Sequence, residues 1–158
     1  MIQLYSLIFI LNIIPRFLFI YLFPETGGDY EIYTTVAKNI VNGCGVSLSE
    51  PGLGDCVPHF GGNHGPGYPL FISLIWSIFN FSDFMVRYIQ AIIYGFSCVW
   101  LSYSLFKYSG EKKSILIIGI ITALSPLLLA WPRYVQTETL ALASSIWVLA
   151  EIFLSLSK

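Results

Sequence analysis

Residues 68–79 read YPLFISLIWSIF. A helix that crosses a bilayer takes about 20 apolar residues, whereas apolar runs of about 10–14 are more often interfacial, re-entrant or buried. This run belongs to the second class. Four others are long enough to cross: 2–23, IQLYSLIFILNIIPRFLFIYLF; 84–106, FMVRYIQAIIYGFSCVWLSYSLF; 114–131, SILIIGIITALSPLLLAW; and 138–156, ETLALASSIWVLAEIFLSL. The topology turns on 68–79: five crossings if it spans, four if it does not. Loop charge arbitrates, because cytoplasmic loops carry an excess of lysine and arginine. The loop KYSGEKK holds Lys107, Lys112 and Lys113 against Glu111. The long loop 24–67 holds Glu25, Asp29, Glu31, Glu50 and Asp55 against Lys38. The first should be cytoplasmic and the second outside, and that arrangement requires 68–79 not to cross.

The expectation is an all-α membrane protein with about four transmembrane helices and both termini cytoplasmic. Amphipathic surface helices would lie in the first outer loop, 24–83, and residues 1–158 would form a single membrane domain. It would be multi-pass in the cell's inner or plasma membrane, with its active face extracytoplasmic. Composition agrees: only 11% of residues are charged, against roughly 25% in soluble domains. A net charge of -1 and the lack of a basic stripe argue against nucleic acid as a partner. No Cys-x-x-Cys pair is present, which argues against zinc ribbons and thioredoxin-like sites. Segment 2–23 has no basic leading region and no small-residue cleavage site after it, so it reads as an uncleaved first span. The spans lack paired broken helices and a run of polar residues, which argues against a small transporter.

Two carboxylates stand at the lips of apolar runs. Asp29 opens the stretch 29–42, in which Tyr33, Val36, Ala37, Ile40 and Val41 share one helical face and Glu31, Thr34, Thr35, Lys38 and Asn39 the other. Asp29 is read either as the helix N-cap or as a general base or metal ligand held at the membrane surface. Glu138 follows Thr137, which can cap the last span; Glu138 then either suits the helix dipole or supplies a second outer carboxylate. Such a pair can bind a divalent metal, the one cofactor the sequence suggests, or position an acceptor nucleophile.

Three outer cationic candidates remain: Arg133, Arg87 and His64. Arginine grips phosphate bidentately; the simpler readings are a headgroup anchor beside Trp131 and Tyr134 for Arg133, and snorkelling for Arg87. Arg16, inside the first span, is either functional or reaches the outer headgroups, and Glu151 snorkels at the inner end. His59 and His64 are weak metal candidates. Cys44 and Cys56 share the outer loop, where an oxidising exterior allows a disulfide, and Cys98 is inert inside a span. Asn80-Phe81-Ser82 is a glycosylation sequon of low specificity.

Several pieces occur in order: Arg16; Asp29-Tyr30 with Tyr33, Ala37 and the Asn42-Gly43 break; His64-Gly-Pro-Gly-Tyr-Pro-Leu-Phe71; Arg87-Tyr-Ile-Gln90; and Thr137-Glu138-Thr-Leu140. This set resembles the N-terminal part of the C-type (GT-C) membrane glycosyltransferases, in particular the protein O-mannosyltransferase and lipid A aminoarabinose transferase-like group. The resemblance covers nearly the whole chain but about the first third of a family member. It implies transfer of a sugar from a polyprenyl-phosphate carrier to an acceptor on the outer membrane face. Asp29 and Glu138 would be the catalytic carboxylates. Arg133, Arg87 and His64 would contact the donor phosphate, with histidine a departure from the family's basic residue. Tyr30, Tyr33 and Tyr68 would position substrate. Implied partners are the polyprenyl-phosphate sugar, membrane lipids and a further polypeptide completing the enzyme. The rival reading is a non-catalytic lipid-binding or assembly subunit.

Overall fold

The computed structural model describes residues 1–48, Cys56 and residues 65–157. Of the described residues 79% are helical, and none forms a strand. In chain order the elements are α1 (Ile2–Leu22), α2 (Tyr30–Val41), α3 (Gly67–Phe79), α4 (Asp83–Ser109), α5 (Lys112–Leu124) and α6 (Pro126–Ala130). A 3-10 turn (Trp131–Arg133) and α7 (Glu138–Leu156) follow. Helices α1, α4 and α7 are long and apolar enough to cross a membrane, and the protein is an integral membrane protein. At 13 residues, α3 is about 20 Å long, short of the ~30 Å hydrocarbon core.

The run 114–131 is divided rather than continuous. Helix α5 ends at Leu124, and Ser125 is extended, with φ -63° and ψ 117°. Pro126 is the cause: the ring of a proline pushes the preceding residue out of the helical region. Helix α6 starts at the proline itself, whose fixed φ suits the first position of a helix.

The chain forms two compact units, Met1–Pro24 with Arg87–Lys158, and Glu25–Val86. In the first unit small residues set the helix spacing. A Cβ on Gly119 of α5 would lie 2.7 Å from Ile8 Cγ1 of α1, and one on Gly95 of α4 would lie 3.0 Å from Ile13 Cγ1. Close approach at small residues is how membrane helices gain packing without a hydrophobic driving force. Around these contacts Phe9 meets Phe96 and Phe17 meets Tyr88, each with centroids 4.6 Å apart. Tyr94, Cys98 and Ala143 form a buried cluster with Leu128, Leu142 and Ile146 against it. Trp100 stacks on Trp147 and its indole N–H donates to Glu151 Oε1 at 2.8 Å. Glu151 is therefore held by a neighbouring helix, not simply extended toward the headgroups.

In the second unit α2 packs on α3. Tyr33, Val36 and Ala37 are buried from α2, and Tyr68, Ile72, Ile75 and Trp76 from α3. The opposite face of α3 exposes Leu70, Leu74 and Ile78, a pattern suited to the membrane interface. One residue departs from the expected face: Asn39 is buried. Its Nδ2 donates to the Ser47 carbonyl at 2.8 Å, and its own carbonyl accepts from the Cys44 N–H. It ties the chain leaving α2 back to the helix, so burial satisfies it. Gly43, at φ +85°, makes the turn that permits this. Cys44 and Cys56 are joined by a disulfide.

Candidate functional site

In the second unit Asp29 occupies the N-cap position of α2 but makes no side-chain capping hydrogen bond. The position is that of a cap; the capping interaction is not formed. Next to it, the Tyr30 hydroxyl donates to Asp83 Oδ2 at 2.6 Å. Asp83 opens α4, yet Ser82 takes the capping role, its Oγ accepting from the Met85 N–H at 3.4 Å. The second oxygen, Asp83 Oδ1, is buried with no hydrogen-bond partner. The sequence reading missed Asp83. It lies at the edge of an apolar run, and only its pairing with Tyr30 gives it meaning. Tyr33 and Tyr68 are both buried and pack edge to face, with centroids 5.0 Å apart; they join α2 to α3. His59 and His64 lie outside the described residues.

In the first unit the segment between α6 and α7 carries Arg133, and Glu138 opens α7 directly after it. Arg133 sits 5.6 Å from the Phe19 ring centroid and 4.7 Å from that of Tyr134, and its guanidinium donates to the Tyr134 hydroxyl. Trp131 packs on Tyr134. The cation is thus oriented by aromatic faces. Gln90, fully buried in α4, donates its Nε2 to the Tyr134 carbonyl at 2.9 Å. Thr137, expected as a side-chain cap, makes no such bond. Its backbone is already helical, and its carbonyl takes the Ala141 N–H. Glu138 is half-buried, and its Oε2 is buried without a hydrogen-bond partner. Leaving a buried polar atom unsatisfied costs about 1–3 kcal/mol, and in this unit Glu138 Oε2 shares that state with Arg16 Nε, Tyr94 Oη and Thr139 Oγ1. Arg87 is 4 % exposed, so it does not snorkel; it is engaged within the protein.

Asp29 belongs to the second unit and Glu138 to the first. Among the described residues no group of three or more His, Cys, Asp or Glu side chains is placed to hold a metal ion.

Residues 63–158 match the family described as dolichyl-phosphate-mannose-protein mannosyltransferase. The chain belongs to this family. The match runs from just before α3 to the end of the chain and takes in Tyr68, Asp83, Arg87, Arg133 and Glu138, while Asp29, Tyr30 and Tyr33 precede it. No curated protein and no solved structure gives a significant match.

Proposed function

We propose that the chain is a glycosyltransferase of the GT-C type, moving a sugar from a polyprenyl-phosphate donor to an acceptor hydroxyl at the extracytoplasmic face. Membership of the mannosyltransferase family carries this reading. In the proposed reaction a carboxylate, Asp29 in the first instance, takes the proton from the acceptor hydroxyl. The acceptor oxygen bonds to the anomeric carbon as the bond from that carbon to the phosphate oxygen breaks. The electron pair leaves with the carrier phosphate, whose charge Arg133 and Arg87 stabilise. Glu138, with a buried and unsatisfied oxygen, is the second carboxylate. Tyr30, held by Asp83, fixes the start of α2 beside Asp29, and Tyr33 and Tyr68 support that position from below.

The four-crossing topology is part of the proposal. Helices α5 and α6 together would make the crossing that neither makes alone, and the lysine-rich junction of α4 and α5 would face the cytoplasm. The Cys44–Cys56 disulfide supports an oxidising outer side for the second unit. A groove of about 410 Å³, lined by Ile93, Ser97, Leu140, Ala143 and Trp147 of α4 and α7, suits a prenyl chain. That same apolar groove favours the second reading, a lipid-binding or assembly subunit without catalysis.

The two separate by experiment. Membranes containing the protein are given a radiolabelled polyprenyl-phosphate sugar, and transfer is compared for wild type, Asp29→Asn and Glu138→Gln. Loss of transfer in both variants at normal protein level supports the enzyme. Lipid binding without transfer by wild type, or transfer untouched by either substitution, removes the catalytic assignment.

A further inference from the structure

Arg16 lies inside α1, just after Pro15, and its side chain is fully buried. It does not reach the headgroups, and no acidic side chain meets it among the described residues. Its Nη1 donates to the Asn12 carbonyl at 2.5 Å and lies 3.4 Å from Asn12 Oδ1. Its Nη2 donates to the Thr122 carbonyl at 2.7 Å, and the guanidinium stands 4.4 Å from the Tyr94 ring centroid. A charge at this depth is expensive and is retained for a reason.

The identity of the distant partner supplies the reason. In an unbroken helix the carbonyl of Thr122 would accept the N–H four residues on. That residue is Pro126, which has no N–H. Inside a membrane no water replaces the missing donor. Arg16 provides it, as a charge-assisted bond stronger than the one lost. One turn further along α1, Phe19 lies under Arg133. Helix α1 therefore grips the chain on both sides of α6: at the break before it and at the turn after it.

We propose that Arg16 is a positioning residue, an intramembrane cation that caps the end of α5 broken at Pro126 and so sets the turn bearing Arg133 and Glu138. The capping role stands on its own geometry; the consequence for transfer rests on the function proposed above. It makes a specific demand. Replacing Pro126 by alanine returns an N–H to the Thr122 carbonyl and makes the Arg16 bond redundant.

The test is a double-mutant cycle on the full chain in native-composition nanodiscs: Arg16→Met, Pro126→Ala and the pair, read by thermal unfolding and by sugar transfer. Arg16→Met should lower the unfolding midpoint clearly when Pro126 is present and much less in the Pro126→Ala background. In transfer, Arg16→Met should cut kcat about tenfold or more at nearly unchanged KM, since the turn is displaced and not removed. If Arg16→Met does not fold, recovery of folded protein in the Arg16→Met, Pro126→Ala pair is the reading: recovery is expected, and its absence overturns the proposal. Equal loss in both backgrounds, or no loss in either, overturns the proposal. If wild type transfers no sugar, the proposed function fails while the thermal cycle still decides the role of Arg16.

Discussion

The two units of the chain solve the same problem by different means. In the first, many polar side chains sit within apolar helices and bond backbone carbonyls. Ser97, Ser102, Ser104 and Thr122 each bond the carbonyl four residues back, Asn12 reaches the carbonyls of Ile8 and Gly119, Arg16 bridges α1 to α5, and Gln90 ties α4 to the segment before α7. In the second, a disulfide, an aromatic pair, a local bond from Asn39 to Ser47 and a long-range one from Tyr30 to Asp83 hold short helices and their connections. The difference follows from solvent. A membrane leaves no water for an unmade hydrogen bond, so most polar groups there find protein, and Glu138 Oε2, Tyr94 Oη and Thr139 Oγ1 stand out as buried atoms that do not. A unit of two short helices buries too little to be stable by packing alone, and a covalent tie makes up the deficit.

The largest expected effect breaks the comparison at its functional end. Asp29→Asn strikes the second unit and Glu138→Gln the first, and each should lower sugar transfer by about 10²–10⁴-fold, the usual range for losing a positioned acid or base. A large loss from one alone would mean that only that unit carries the chemistry. Next comes removal of the disulfide. Cys44→Ser with Cys56→Ser opens a loop of sequence separation 12, which should cost the second unit about 3 kcal/mol. Limited proteolysis should then cut within 25–86 while the helices of the first unit stay protected; simultaneous cleavage of both would show that the units do not respond separately. The reverse experiment is Gly119→Ala. The added Cβ would sit 2.7 Å from Ile8 and should cost about 1–3 kcal/mol through overpacking. Its thermal transition should shift for the first unit, with the disulfide-bonded unit unaffected. The smallest effect is Tyr30→Phe, which removes one hydrogen bond to Asp83 and should cost about 1 kcal/mol. A drop in transfer beyond that change in stability would show that Tyr30 orients Asp29.

Much of the architecture was legible from hydropathy. The ends of α1, α4 and α7 fall within a few residues of the apolar runs, because a lipid-facing helix must be apolar along its length. Helix α3 was recognisable as too short to cross. The division of 114–131 was signalled by Ser125-Pro126, but a run of apolar residues outweighed a single proline in the reading. The candidate site was less legible. Asp29 and Glu138 stand out as acids beside apolar runs, but the buried state of Glu138 Oε2 depends on how the turn before α7 folds back. Asp83 acquires a partner 53 residues away, and no local pattern announces it.

The sequence alone determined that this is a helical membrane protein of the mannosyltransferase kind. Apolar length, loop charge and the order of short motifs are properties of the chain read locally. The tertiary structure decided what the individual polar residues do. Arg16 reads as an unpaired charge in a span until folding brings it to Thr122, whose carbonyl was left without a donor by Pro126. Asn39 reads as a surface residue until the chain after α2 turns back upon it. A hydrogen bond is a relation between two groups, and when its partners are distant in sequence only the fold can pair them.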